Sequence, residues 1–274
     1  MTTHTFATPA PVKLDVELER GSLTVTATAT DTTTIEVVGE RAEEVSVEHI
    51  DDKIFVVGPK GRNRLFGSDR GLTLTATVPA DSQLRAKTGS ADLETRGPLL
   101  AVWAQTGSGD VGLDTVTGPA QVSTGSGDIA VRSVDGALQV KSGSGDVAVQ
   151  RSGESVGVST GSGDVVVRHA TGSVKVKTGS GDLQVGYAAG DVSLATGSGD
   201  LEVKQAVRGT IDGKGASGDI RVGIPAGIPV WTDISTISGS IRSGISGTGK
   251  PTEGQDYVEL RARTVSGDIT LVEL

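Results

Sequence analysis

One tetrapeptide, Gly-Ser-Gly-Asp, recurs through the middle of this chain at a fixed interval of 18 residues. The same interval leads back to Asp92, in Gly-Ser-Ala-Asp, and an interval of 19 residues leads forward to Asp219, in Ala-Ser-Gly-Asp. A short, fixed period predicts stacked structural repeats, each of which contacts mainly its neighbours. The aspartates of the six perfect repeats are Asp110, Asp128, Asp146, Asp164, Asp182 and Asp200.

Each period contains two short segments in which apolar residues alternate with small or polar ones. Val147 and Val149 mark the first segment of one period, and Val156 and Val158 mark the second. Such alternation is typical of half-buried strands, and strands this short bury one face only by stacking about 4.8 Å apart. Glycine between the segments supplies the backbone freedom of a sharp corner. The sequence therefore predicts an all-β, parallel β-solenoid with two-strand coils of about 18 residues, right-handed by the usual crossover rule. An antiparallel meander is the alternative.

The repeat is less regular at the two ends of the chain. Before Lys87 the strand texture persists without the tetrapeptide, as in Leu23 and Val25 or Ile54 and Val56. We expect residues 1–86 to form irregular β entry coils that continue into a regular solenoid over residues 87–274. The basic, turn-rich segment 58–71 predicts an exposed loop, and a Gly- and Pro-containing insertion is predicted near 244–256.

Composition excludes several classes of protein. Without cysteine, the chain has no disulfide framework, thiolate nucleophile or cysteine zinc site. A net charge of -9 argues against a nucleic-acid partner. No apolar run is long enough for a transmembrane segment. The N-terminus has neither a basic nor an apolar leader region, which predicts a cytoplasmic protein, with cell-surface association as the alternative.

The motif Thr-Gly-Ser-Gly-Asp-Val, the Val- and Thr-rich segment before it and the terminal Val-Ser-Gly-Asp-Ile resemble a known bacterial family. This is the β-strand-repeat "putative adhesin" domain family, a domain of unknown function that includes the LiaG-like proteins. The resemblance extends from about Val12 to Leu274. It implies a solenoid fold and carries over no catalytic residue or cofactor.

The aspartates form the most distinctive row of the predicted solenoid. In-register stacking places Asp92, Asp110, Asp128, Asp146, Asp164, Asp182, Asp200 and Asp219 in one line. Carboxylates about 5 Å apart repel by about 1 kcal/mol in water, so some interaction must offset the repulsion. We expect each Asp to accept hydrogen bonds from turn amides or serine hydroxyls. The alternative is a row of Ca²⁺ sites, by analogy with glycine- and aspartate-rich β-rolls.

Trp103 interrupts an otherwise polar row of outward positions. It lies between Val102 and Ala104, which have the inward phase, and its equivalents in later coils include Gln121. An exposed tryptophan on a polar strand face is a candidate contact for a sugar or a protein. The alternative is that Trp103 packs beneath the loop around residues 62–66.

The repeats favour a non-catalytic role. An active site normally occurs once, whereas a residue present in every coil is structural or multivalent, and His169 lies in a variable surface row. We therefore expect an adhesin-like binding or scaffolding protein without a cofactor, whose partner is an unidentified protein or glycan. The alternative is a cytoplasmic scaffold that forms homo-oligomers through open solenoid ends, since the last strand runs to Leu274 uncovered. A polysaccharide-active β-helix is a weaker alternative.

Overall fold

A computed structural model of the chain describes residues 1–59, 71–245 and 254–274. These residues form 28 strands and one short 3₁₀ helix, Ala42–Glu44. They divide into two compact units, Met1–Gly136 and Ala137–Leu274. The all-β prediction is confirmed. The predicted division at residues 86 and 87 stays a prediction, and residues 60–70 and 246–253 of the predicted loop and insertion lie outside the described residues.

The first unit, Met1–Gly136, contains fourteen strands in its described part. They are β1 Thr2–Ala7, β2 Lys13–Leu18, β3 Gly21–Thr28, β4 Thr32–Val38, β5 Ser46–Ile50, β6 Lys53–Val57, β7 Leu72–Pro79, β8 Gln83–Thr88, β9 Asp92–Arg96, β10 Pro98–Leu99, β11 Ala101–Thr106, β12 Val111–Val116, β13 Ala120–Thr124 and β14 Ile129–Val134.

Two sheets stack through this unit in parallel register. One contains β3, β9, β12 and β14 as successive neighbours, and the other contains β2, β8, β11 and β13. Residues 18 apart are paired, as in Val111 with Ile129 and Val102 with Ala120. The parallel solenoid prediction is therefore confirmed, because an antiparallel meander cannot place equivalent residues of successive periods side by side.

The entry coils of this unit do not stack in chain order. Strand β3 lies between β7 and β9, and β2 lies between β6 and β8, so the first coil is flanked by the second and the third. Antiparallel strands close the far side: β4 pairs with β7, β1 pairs with β4, and β5 pairs with β6. Inward-facing side chains of these strands, including Ile35 of β4 and Ile54 of β6, are 0% exposed.

The second unit, Ala137–Leu274, contains fourteen more strands in its described part. They are β15 Leu138–Ser144, β16 Val147–Ser152, β17 Val156–Ser162, β18 Val165–Ala170, β19 Val174–Ser180, β20 Leu183–Ala188, β21 Val192–Ser198, β22 Leu201–Ala206, β23 Gly209–Lys214, β24 Ile220–Ile224, β25 Val230–Thr236, β26 Ile241–Ser243, β27 Val258–Thr264 and β28 Ile269–Glu273.

Chain order and spatial order differ again at the end of this unit. One sheet runs β15, β17, β19, β21, β23, β27, β25, and the other runs β16, β18, β20, β22, β24, β28, β26. The coil formed by β27 and β28 is thus inserted between its two predecessors. The prediction that the last strand is uncovered is wrong, because β28 pairs with β24 on one side and β26 on the other. The outermost coil is β25 and β26.

The core is a narrow stack of aliphatic rows between the two sheets of each unit. Val147 and Val149 are each 1% exposed, whereas Ala148 between them is exposed, as the alternating pattern predicts. The corner before Asp164 requires glycine, because Gly163 has φ of 142° and a Cβ there would lie 2.4 Å from the carbonyl oxygen of Gly145. The coils stack this closely at position 163 because it lacks a side chain.

Candidate ligand-binding surfaces

The predicted aspartates lie at one turn of successive coils from Asp92 onward, and we call these residues together with Asp268 the Asp row. Its carboxylates are held by the backbone of the neighbouring coil. In the first unit, the N–H of Asp110 donates to Oδ1 of Asp92 at 3.0 Å, and that of Asp128 donates to Oδ1 of Asp110 at 2.9 Å. In the second unit the same bond recurs at 2.7–2.9 Å through Asp146, Asp164, Asp182, Asp200, Asp219 and Asp268.

This arrangement differs from the expected turn. The carboxylate does not cap its own turn but accepts from the equivalent residue one coil later. The main chain completes the pairing, since the N–H of Val165 donates to the carbonyl oxygen of Asp182 at 2.8 Å. A charge-assisted hydrogen bond of this kind contributes more than a neutral one, which offsets the repulsion between neighbouring carboxylates.

The row ends differently at the outermost coil of the second unit. There the N–H of Ser240 donates to Oδ1 of Asp268 at 2.8 Å, and Ser240 itself brings no carboxylate. The amide of Ser240 is the largest cause of a lowered pKa at Asp268. The ladder of negative charge therefore stops one coil before the stack does.

The structure gives the Asp row no conventional metal cage. Within residues 1–59, 71–245 and 254–274, no three His, Asp or Glu side chains converge as metal ligands. Calcium binding by the row stays a prediction.

Thr124 and Thr160, which precede two of these turns, face inward and form hydrogen bonds within their own turns. In the first unit, the N–H of Gly127 donates to Oγ1 of Thr124 at 2.9 Å. In the second unit, the hydroxyl of Thr160 donates to the carbonyl oxygen of Ser162 at 3.1 Å. The same pentapeptide, Thr-Gly-Ser-Gly-Asp, therefore forms two different turns.

Trp103 lies in β11 of the first unit, and its side chain points outward with 41% exposure. Arg85 of β8 and Gln121 of β13 flank it in register on the neighbouring strands. Two residues further along the same face, Gln105 lies beside Lys87. We call these five residues the Trp103 surface. All five are exposed, and the loop residues 62–66 of the alternative prediction lie outside the described residues.

The Trp103 surface is flat and rich in hydrogen-bond donors. Strand spacing and rise place its two rows about 7 Å apart and its three strands across about 10 Å, which is the size of one or two sugar rings. The guanidinium of Arg85 forms an ion pair with the carboxylate of Asp15 at 3.7 Å, and 75% of the Arg85 side chain is exposed. An indole face next to guanidinium, ammonium and amide groups can take a ligand that has both an apolar face and polar edges.

Sequence reasoning did not identify an aromatic stack in the second unit. The rings of His169 in β18 and Tyr187 in β20 lie parallel, with centroids 4.5 Å apart and planes at 6°. Arg151 and Gln205 continue the row on either side. Because the two rings face each other along the stack, the faces between them are closed to a ligand.

Stacked parallel coils of this kind define a β-solenoid protein. A family model matches residues 12–205 and 187–272, and the chain belongs to that family, the Toastrack DUF4097 family. None of the curated proteins matches the chain. No helix in the described part of the chain has the length and apolar character to cross a bilayer.

Three solved structures match this chain over nearly its full length at low sequence identity. A putative adhesin from Bacteroides fragilis is 14% identical, with a TM-score of 0.41, and the match covers 100% of this chain and 96% of that one. A putative adhesin from Parabacteroides distasonis is 12% identical, with a TM-score of 0.41, covering 99% and 96%. One from Parabacteroides merdae is 14% identical, with a TM-score of 0.38, covering 99% and 95%.

Proposed function

We propose that this chain is a non-catalytic binding protein whose Trp103 surface holds a glycan. The observation that carries the proposal is the exposed indole of Trp103 on a flat strand face. Arg85 and Gln121 are its in-register neighbours on either side. The indole points away from the core and is 41% exposed, so the exposed part of its surface is available to a ligand.

Sugar rings match this chemistry better than a purely polar polymer does. The C–H face of a pyranose packs against an indole, while its hydroxyls accept from Arg85 and Lys87 and exchange hydrogen bonds with Gln105 and Gln121. A rigid β surface needs little reorganisation on binding, which lowers the entropic cost of a weak, repeated contact. Such a contact is suited to a polymer that offers many equivalent units.

A catalytic role is not part of the proposal. The titratable side chains that recur in this chain hold coils together, as the Asp row does through the amides of the next coil. His169, which lies in the repeat strand β18, has its ring against Tyr187. Neither arrangement pairs a nucleophile with a base in the way that covalent catalysis requires.

The two tryptophans of the chain, Trp103 and Trp231, allow a direct test. In a Trp231→Phe variant, all indole fluorescence comes from Trp103. We expect that variant to show a shift or quench of emission on titration with at least one polysaccharide in a panel of soluble neutral and uronic-acid-containing polymers. Affinity electrophoresis through gels containing the same polymer then measures retardation.

The decisive comparison is Trp103→Ala against Trp231→Ala. Removing a central aromatic anchor costs at least about 2 kcal/mol, so Trp103→Ala should weaken binding about thirtyfold. Trp231→Ala should leave the affinity of a single Trp103 surface the same as in the unmodified chain. Equal retardation of both variants, or unchanged Trp103 emission with every polymer, would remove this surface from the function.

A further inference from the structure

The outermost coil of the second unit, formed by β25 and β26, has a free strand edge in both sheets. Within the described residues, β25 pairs only with β27, and β26 pairs only with β28. Each strand therefore presents a row of backbone N–H and C=O groups to the outside. We call residues 225–243 the terminal coil.

The terminal coil also leaves the apolar core open. Ile241 continues the inward row of Ile220 and Ile269, yet it is 47% exposed where they are 5% and 0% exposed. None of the seven residues of β25 is buried, whereas four of the seven residues of its neighbour β27 are. A solenoid end normally needs a polar cap, and this end has an apolar one.

The terminal coil carries few charges, and both are paired with the neighbouring coil. Asp233 lies 3.1 Å from the guanidinium of Arg263, and the guanidinium of Arg242 lies 3.7 Å from Asp268. Ser240 occupies the position that holds an aspartate in the coils beneath it. Trp231 is 54% exposed and Ile237 is 82% exposed. Depletion of charge together with an exposed tryptophan is the composition of a protein interface.

The entry coils of the first unit show that an open core is not general in this chain. Antiparallel pairs lie at that end, and Ile35 of β4 and Ile54 of β6 are 0% exposed. The terminal coil lacks such a cover among the described residues.

The shape of the open end indicates what fits it. A partner has to offer two strand edges at the separation of the two sheets, with an apolar row between them. A single strand or helix covers one edge and leaves the other exposed. The terminal coil of a second copy offers both edges at the required separation.

We propose that the terminal coil is a homodimer interface between two copies of this chain. A two-fold axis perpendicular to the stack brings each free edge against an edge that runs antiparallel to it, which permits regular β pairing. Because Ser240 carries no carboxylate, the two copies can approach at this position without the repulsion that an aspartate there would create. This interface is independent of the Trp103 surface and closes on itself, so it yields dimers and no filament.

The test is the mass of the full chain in solution. Sedimentation equilibrium between about 1 and 100 μM should show a reversible dimer. Ile241→Lys places two charges in the dimer core and should weaken dimerisation at least a hundredfold. Val38→Lys is the matched control, because Val38 is exposed by the same 47% but lies in β4 of the first unit. It should leave the dimer intact.

Two further measurements separate a lost interface from a lost fold. Circular dichroism of Ile241→Lys should retain the β spectrum and a cooperative melt. Hydrogen exchange of the unmodified chain should show amides of β25 and β26 becoming more protected as concentration rises. A strict monomer at 100 μM, species that grow beyond the dimer, equal weakening by Val38→Lys, or concentration-independent exchange at β25 would each overturn the proposal.

Discussion

The Asp row makes a quantitative prediction at Asp164, in the interior of the second unit. Its Oδ1 accepts the N–H of Asp182 at 2.9 Å, and its own N–H donates to Oδ1 of Asp146 at 2.8 Å. Asp164→Ala removes the first bond, and Asp164→Asn keeps its geometry without the charge. The two variants therefore separate the hydrogen bond from the repulsion.

The magnitudes follow from the spacing of the coils. A hydrogen bond to a charged acceptor contributes about 1.5–3 kcal/mol. Two unit charges about 4.8 Å apart repel by about 0.9 kcal/mol in water, and physiological salt roughly halves this value. With two neighbours, removal of the charge gains about 1 kcal/mol. Asp164→Ala should therefore destabilise the chain by about 0.5–2 kcal/mol. Asp164→Asn, which retains a neutral bond of about 1 kcal/mol, should stay within about 1 kcal/mol of the unmodified chain.

Thermal unfolding followed by circular dichroism measures this difference. For a chain of this size, the expected gap between the Asn and Ala variants is about 2–4 °C. Raising the salt concentration should stabilise the unmodified chain more than either variant, since only the unmodified chain has the repulsion to screen at this position. Identical melting of the Asn and Ala variants would show that the hydrogen bond between coils contributes nothing to stability and that the Asp row does not hold the coils together.

Three other perturbations test the core, the acid response and the Asp row. Val149→Asp buries an unpaired charge where the side chain is 1% exposed, so it should lower the free energy of unfolding by several kcal/mol. Ala148→Asp, at an exposed position, should lower it little. Similar melting temperatures of the two variants would mean that Val149 does not point inward. The side chain of Arg132, hydrogen-bonded to Asp114, lowers the pKa of the Asp114 carboxyl. The ion pair therefore stabilises the fold above the ordinary Asp pKa of about 3.9, and this stabilisation is lost as the pH falls further. Asp114→Asn should reduce the fall of the melting temperature at acid pH, and an unchanged fall would contradict this. Ca²⁺ at about 5 mM raises the melting temperature relative to EDTA if the Asp row binds it, and equal melting would leave the row with a structural role alone.

The pattern of residues was enough to predict the repeating coil. Alternation of apolar residues identifies the inward phase, because one face of each short strand has to be buried. The fixed interval between the Gly-Ser-Gly-Asp motifs aligns equivalent residues of successive coils. The outward position of Trp103 follows from the same phase, and its neighbours Arg85 and Gln121 follow from the register.

The partner of each carboxylate was not predictable from the motif. Gly-Ser-Gly-Asp is compatible with a turn that satisfies its own aspartate, and only the stacking distance puts the amide of the next coil within reach. The two turns formed by the same pentapeptide show the same limit. Thr124 accepts a hydrogen bond where Thr160 donates one, because a Ser-Gly peptide can rotate without changing any side chain.

The sequence by itself determined the coil: its length, its two strands, its inward aliphatic rows and its glycine corners. Only the tertiary structure decided the order in which the coils stack. The first coil of the chain lies between the second and the third, and the coil of β27 and β28 lies inside that of β25 and β26. The reason is physical: every coil offers nearly the same apolar face and the same backbone edges, so hydrophobic pattern specifies that coils stack but not which coil is whose neighbour. The stacking order depends on where the connecting segments allow the next coil to pair. Here it leaves Ile241 exposed at the outermost coil and places β28 between two other strands.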